Sequence, residues 1–146
     1  MQCPHHIALL TALAATLVLS GCESKPADGQ AGSPTRKQAA TGMPIRMKPR
    51  EVRDLVQAHP EALLLDVRNA SEWNDDVGHM NGSRQIPLSL LGGRLTEIEG
   101  WKHKPVITVS RIGDRGAAAT LVLREAGFTQ VTNLEGGLEA WRNAGF

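Results

Sequence analysis

Residues 105–127 read PVITVSRIGDRGAAATLVLREAG and fall into three pieces of different physical character. The first, residues 105–109, is β-branched and uncharged, which predicts a strand. The last, from Gly116, is rich in Ala and Leu and predicts a helix over residues 116–126, with Gly127 at its C-cap. Between them, residues 110–115 must carry the chain from strand end to helix start. A loop that short directs its backbone N–H groups inward, and the positive end of the helix dipole reinforces the anion cradle so formed.

Downstream, residues 130–133 predict a short strand, and Leu138 and Trp141 a terminal helix begun near Gly136, with Trp141 in the core. Upstream, residues 62–67 (ALLLDV) are a short apolar run bounded by turn and polar residues, as buried parallel strands are. Residues 84–86, before Pro87, suggest another short strand. Leu88, Leu91, Leu95 and Ile98 stand at helical spacings, but Gly92 and Gly93 interrupt them, so one continuous helix is not secured. Pro49 suits a helix first turn; Val52, Leu55 and Val56 make one apolar face, and Pro60 ends it. Strands alternating with helices predict an α/β domain, its parallel sheet covered on both faces. No internal repeat is evident.

A chain of 146 residues has room for one domain. Sixteen Lys and Arg against fifteen Asp and Glu leave a net charge of +1, which gives no electrostatic reason to expect nucleic acid as a partner. Any anion site must therefore be local. The two cysteines, Cys3 and Cys22, both lie in the first 22 residues. That excludes a disulfide framework, a cysteine metal site and thiol chemistry in the rest of the chain. No metal or cofactor is expected.

Residues 7–20 (IALLTALAATLVLS) form an uncharged run of 14 residues, short for a membrane span and suited to the apolar region of a secretory signal. Leu19-Ser20-Gly21-Cys22 follows and resembles the lipobox of bacterial lipoproteins, which implies that Cys22 receives the lipid and becomes the first mature residue. The leading segment has His5 and His6 but no Lys or Arg, so the N-terminal amine must supply most of the usual positive charge. Residues 23–41 (ESKPADGQAGSPTRKQAAT) have no apolar periodicity and read as a flexible tether with a reach of about 25 Å. The expected organisation is a signal peptide over 1–21, a lipid-anchored tether over 22–42 and a folded domain over 43–146, at the bacterial cell envelope.

Several segments of that domain resemble the rhodanese family. Leu64-Leu65-Asp66-Val67-Arg68 is similar to its Asp-Val-Arg strand end. Gly78-His79-Met80, then Gly82 and Ile86-Pro87, is similar to its Gly-His-Ile stretch. Arg124-Glu125-Ala126-Gly127-Phe128, Val131, Asn133-Leu134-Glu135-Gly136-Gly137 and Trp141 resemble its C-terminal signature. The resemblance implies a three-layer fold with a parallel sheet of about five strands flanked by helices. It also implies that residues 110–115 are the active-site loop, which in the family begins with cysteine and commonly continues Arg-x-Gly-x-Arg. Arg111, Gly113 and Arg115 fit that pattern; Ser110 stands where the cysteine would be.

In the family the cradle lowers the pKa of the cysteine, whose thiolate takes sulfur from a donor such as thiosulfate and passes it on as a persulfide. Thiolate is the reactive form. A serine hydroxyl is a weak nucleophile without a base, and an O–S bond would store no comparable transferable sulfur. A serine hydrolase would need a base such as His79 or His103, and Val109-Ser110-Arg111-Ile112 lacks the usual elbow. Cell-cycle phosphatases share the fold but need the cysteine and a loop one residue longer. The expectation is thus a rhodanese-like domain without persulfide transfer, its loop (Ser110, Arg111, Ile112, Gly113, Asp114, Arg115 and Gly116) retained to bind a small thiosulfate-like oxyanion or a protein partner. Asp114 reduces the local positive potential, and the two arginines could be plain surface charges. Asp66 and Arg68 are expected to support the loop from the neighbouring strand end. The alternative is a sulfurtransferase whose cysteine at 110 has been replaced.

Overall fold

A computed structural model describes residues 42–146; the expected signal segment, the lipidation of Cys22 and the tether up to residue 41 fall outside the described residues. Five strands lie in the order β1-β5-β4-β2-β3, every pair parallel: β1 (Arg46–Met47), β2 (Leu63–Asp66), β3 (Arg84–Gln85), β4 (Val106–Val109) and β5 (Val131–Leu134). The three central strands, β2, β4 and β5, are buried at every position. That explains why they are mostly apolar or β-branched, since a strand covered on both faces has no solvent side. The exceptions, Asp66 and Asn133, are buried and hydrogen-bonded, to Arg68 and to Gly113 O.

Side-chain alternation divides the core in two. Leu63, Leu65, Val106 and Val131 pack against Ala119 and Leu123 of α3 (Asp114–Glu125) and Leu91 of α2 (Leu88–Leu91). Leu64, Ile107, Val109 and Leu134 pack on the other face against Val52 of α1 (Pro49–Ala58) and Leu138 of α4 (Gly137–Asn143). The expected three layers are present.

Four sequence readings need adjustment. Strand β1 is only two residues long and was not anticipated; it exists because Arg46 and Met47 pair with Asn133 and Leu134 at the sheet edge. The apolar residues of 88–98 do not share one helix: α2 ends at Leu91, a 3₁₀ segment runs from Gly92 to Trp101, and Arg94 is non-helical inside it. Helix α3 starts at Asp114 rather than Gly116, because Gly113 takes the left-handed conformation (φ 101°) and turns the chain into the helix early. Trp141 is half-buried at the core margin, its ring 5.0 Å from that of Phe146.

Candidate functional site

The loop after β4 is shorter than the sequence suggested, spanning 110–113, with Asp114 and Arg115 already in the first turn of α3. Ser110 is 1% exposed. Its Oγ accepts the backbone N–H groups of Gly113 at 3.1 Å and Gly116 at 3.2 Å. Two backbone amides at the start of α3 thus converge on the serine oxygen.

Glycines let other backbone close on this loop. A Cβ on Gly137 would lie 2.3 Å from Ser110 O and 2.5 Å from Arg111 O. Without it, the amides of Leu138 and Glu139, at the start of α4, donate to Ser110 O (2.9 Å) and Arg111 O (3.1 Å). Asn133 of β5 donates to Gly113 O at 3.1 Å, and its Oδ1 occupies the space a Cβ on Gly116 would need, 2.2 Å away. The stretch from Asn133 to Glu139, with Gly137 permitting the close approach, therefore serves as a clamp on the loop.

The loop arginines do not face an open cradle. Arg111 donates Nε to Glu139 Oε1 (2.8 Å), Nη1 to Asp75 Oδ2 and Asp76 Oδ1 (3.1 Å each), and Nη2 to Asp76 Oδ2 (3.2 Å). Arg115 meets Glu72 end to end, with two bonds of 2.6 Å. The hydrogen bond from Arg115, aided by the N–H of Asn69, holds the Glu72 carboxyl down at about 2. Arg111 likewise holds the Asp76 carboxyl below its ordinary value, chiefly by direct hydrogen bonding. Asp114 is exposed. Ile112, at the loop tip, is 55% exposed. With Ser110, Arg111, Asp114, Arg115 and Glu139 it lines a depression of about 310 Å³.

Asp66 and Arg68 sit beneath, at the end of β2. Arg68 Nε and Nη2 bond the Asp66 carboxylate at 2.7–3.0 Å, while its other contacts reach Asp75 (3.2 Å) and Gly78 O (2.8 Å). Arg68 fixes the segment carrying Asp75 and Asp76, and Asp66 also acts by its charge on Arg115.

Neither histidine is placed to activate Ser110. His79 stacks on Trp73 with centroids 4.1 Å apart, Nδ1 being 3.2 Å from Trp73 O, and His103 Nδ1 lies 3.5 Å from Thr129 Oγ1. Sequence reasoning missed Glu72, Asp75, Asp76 and Glu139. For Glu72 one signal existed: Asn69 and Glu72 have the three-residue separation of a capping pair, and the Asn69 N–H does donate to Glu72 Oε2 at 3.0 Å.

Residues 48–144 match the family model described as the rhodanese-like domain. The chain is 35% identical over 106 residues to the probable adenylyltransferase/sulfurtransferase MoeZ of Mycobacterium tuberculosis, covering 71% of this chain but 26% of that protein. It is 33% identical over 85 residues to a sulfurtransferase of Allochromatium vinosum, covering 58% of this chain and 76% of that one. The solution structure of the rhodanese-like domain of the Anabaena protein Alr3790 superposes with a TM-score of 0.62 at 29% identity, covering 70% of this chain and 76% of that chain.

Proposed function

The chain belongs to the rhodanese-like domain family, and from that premise we propose that it is a member without persulfide transfer, working as a recognition domain held at the bacterial envelope by a lipid on Cys22. The observation that carries the first part is Ser110, buried at the family's nucleophile position with its Oγ accepting two loop amides. A hydroxyl so placed has no base to activate it among the described residues, and the sequence has no thiol after Cys22. Of the two partners expected from the sequence, a small oxyanion and a protein, the geometry supports the protein. The amides aimed at Ser110 Oγ and both loop arginines already have partners, while Ile112 stands exposed at the mouth. The anchor rests on the Leu19-Ser20-Gly21-Cys22 stretch.

A thiosulfate:cyanide assay on the purified chain tests the first part. No turnover above the uncatalysed rate is expected; turnover that survives thiol alkylation would overturn it. Mass spectrometry of the mature protein is expected to find acyl mass on Cys22, and an unmodified N-terminus at that residue would overturn the anchor. A second reading, that the gene encodes cysteine at 110, is favoured by the two amides still aimed at that position. The codon decides it.

A further inference from the structure

We infer that Asp76 and Glu139, joined by Asp75, are specificity-determining residues that sequester Arg111 and close this site to oxyanions, independently of the serine at 110. The inference deepens the non-transferring reading above and rests on it for the identity of the site.

A guanidinium has five N–H groups in a fixed plane. In Arg111, four bonds to Glu139, Asp75 and Asp76 use the Nε hydrogen, both Nη1 hydrogens and one of the two on Nη2. A tetrahedral oxyanion arriving at the mouth would find one free N–H where a bidentate grip needs two. It would also approach Glu139 and the exposed Asp114, which line the depression, and Asp76 in the adjoining one, and their charges repel it. Arg115 has its own carboxylate in Glu72, and Ser110 Oγ already accepts the amides of Gly113 and Gly116. Each positive element expected to draw an anion is thus occupied, and Arg111 is the one held by three carboxylates.

Those carboxylates come from two places in the fold. Asp75 and Asp76 precede β3, in the segment that Arg68 fixes, and Glu139 lies in the first turn of α4, whose amide also donates to Arg111 O. Arg142 of the same helix bonds the backbone oxygen of Asp76. Glu139 therefore holds both main chain and side chain of Arg111, and the bonds of that side chain tie α4 to the Asp76 segment. Asp75 also serves the buried Arg68, so removing it would disturb the core, whereas Asp76 (77% exposed) and Glu139 (45% exposed) can lose charge without opening a cavity.

The test uses the purified chain as wild type, as Asp76→Asn/Glu139→Gln, and as that double variant with Arg111→Gln added. Each is titrated with sodium sulfate and with sodium thiosulfate at constant ionic strength, following the Arg Nε–H and Gly113 amide resonances. Wild type is expected to show no saturable shift. The double variant is expected to show saturable shifts with both anions, a gain of at least about tenfold, because like-charge repulsion is relieved and Nε and Nη2 lose their charged acceptors. Arg111→Gln should abolish the gain, which a general change in surface charge would not explain.

Saturable sulfate binding by wild type through Arg111 would overturn the inference. So would a double variant whose Arg111 Nε resonance moves, showing release, yet which binds no better. If the double variant does not fold, Glu139→Gln alone is titrated, with a smaller gain in the same direction expected and no gain counting against the inference. Sulfate donates no sulfur, so its binding reports on the clamp alone. The thiosulfate:cyanide assay on wild type reports separately on the proposed lack of transfer.

Discussion

Arg68 and Arg111 stand at the same end of the sheet and share one carboxylate, Asp75, yet their surroundings differ in the one variable that sets the value of an ion pair. Arg68 is fully buried with Asp66, and each nitrogen of its guanidinium has an acceptor within the fold. Arg111 is a third exposed and its partner Asp76 largely so. Taking a buried pair out of water costs so much that losing one member is severe, while an exposed pair contributes little to stability. The same chemistry thus acts as a structural pin in one place and as a tunable surface feature in the other. Solvent separates the two roles.

The largest effect is expected where that comparison can be broken outright. Arg68→Met should leave the buried Asp66 carboxylate uncompensated and destabilise the domain by about 3–5 kcal/mol. Urea unfolding measures it. A loss under about 1 kcal/mol would mean that the buried cluster does not pin the fold, and that Asp75 and Asp76 are positioned some other way.

The second effect concerns the backbone clamp that holds Arg111 and its loop against α4. Gly137→Ala forces a Cβ into contact with two carbonyl oxygens at a positive φ, and α4 must lift from the loop to admit it. A cost of about 2 kcal/mol or more is expected from the left-handed conformation and the overpacking together. Gly82 is the control: its φ is +78° but nothing lies within 4 Å of its added Cβ, so Gly82→Ala should cost only the backbone term, about 1–2 kcal/mol. Equal losses at the two positions would show that the approach of α4 to the loop is looser than the structure has it.

The legibility of these features in the sequence follows their range. Strands β2, β4 and β5 could be read because a strand buried on both faces is mostly apolar or β-branched, here broken only by Asp66 and Asn133. Strand β1 could not, because two residues carry no periodicity and its pairing is set by β5. The loop residues Ser110, Arg111, Gly113 and Arg115 were legible as a local pattern. Their partners were not: Asp76 is 35 residues from Arg111, Glu139 is 28 from it, and Glu72 is 43 from Arg115. Each is an ordinary exposed carboxylate until the fold brings it there. The sequence therefore suggested a cationic cradle where the folded chain has a largely neutralised one.

That difference sharpens the third prediction. In Ser110→Cys the thiol would meet the amides of Gly113 and Gly116 while Arg111 and Arg115 remain paired. Its pKa should fall below the free-cysteine value of about 8.5 by about one unit, which is about 1.4 kcal/mol from amides and helix dipole alone. Thiolate absorbance against pH measures it. A drop of several units would mean that the arginines contribute despite their carboxylates; a thiol at or above the free value would mean that burial outweighs the amides.

Between the buried and exposed extremes lies Arg115–Glu72, an end-to-end pair with side chains 34% and 25% exposed. Its worth should be intermediate, and pH can read it without altering Arg115. The folded-state pKa of Glu72 is depressed from its ordinary 4.5 to about 2, chiefly by the hydrogen bonds from Arg115. A carboxylate held down in the folded state binds fewer protons there than in the unfolded chain. Its contribution is therefore fully present above the unfolded value and lost as pH falls from 4.5 towards 2. Screening at a quarter-exposed site limits the size to on the order of 1 kcal/mol. Urea unfolding of wild type and Glu72→Gln at a series of pH values should show a gap that is constant near neutrality and closes across that acid window. A gap that persists unchanged to the bottom of the window would assign the loss to the Asn69 turn rather than to charge. A gap well above the expected size would place this pair with the buried Arg68, and exposure would then cease to be the variable that separates pin from surface feature.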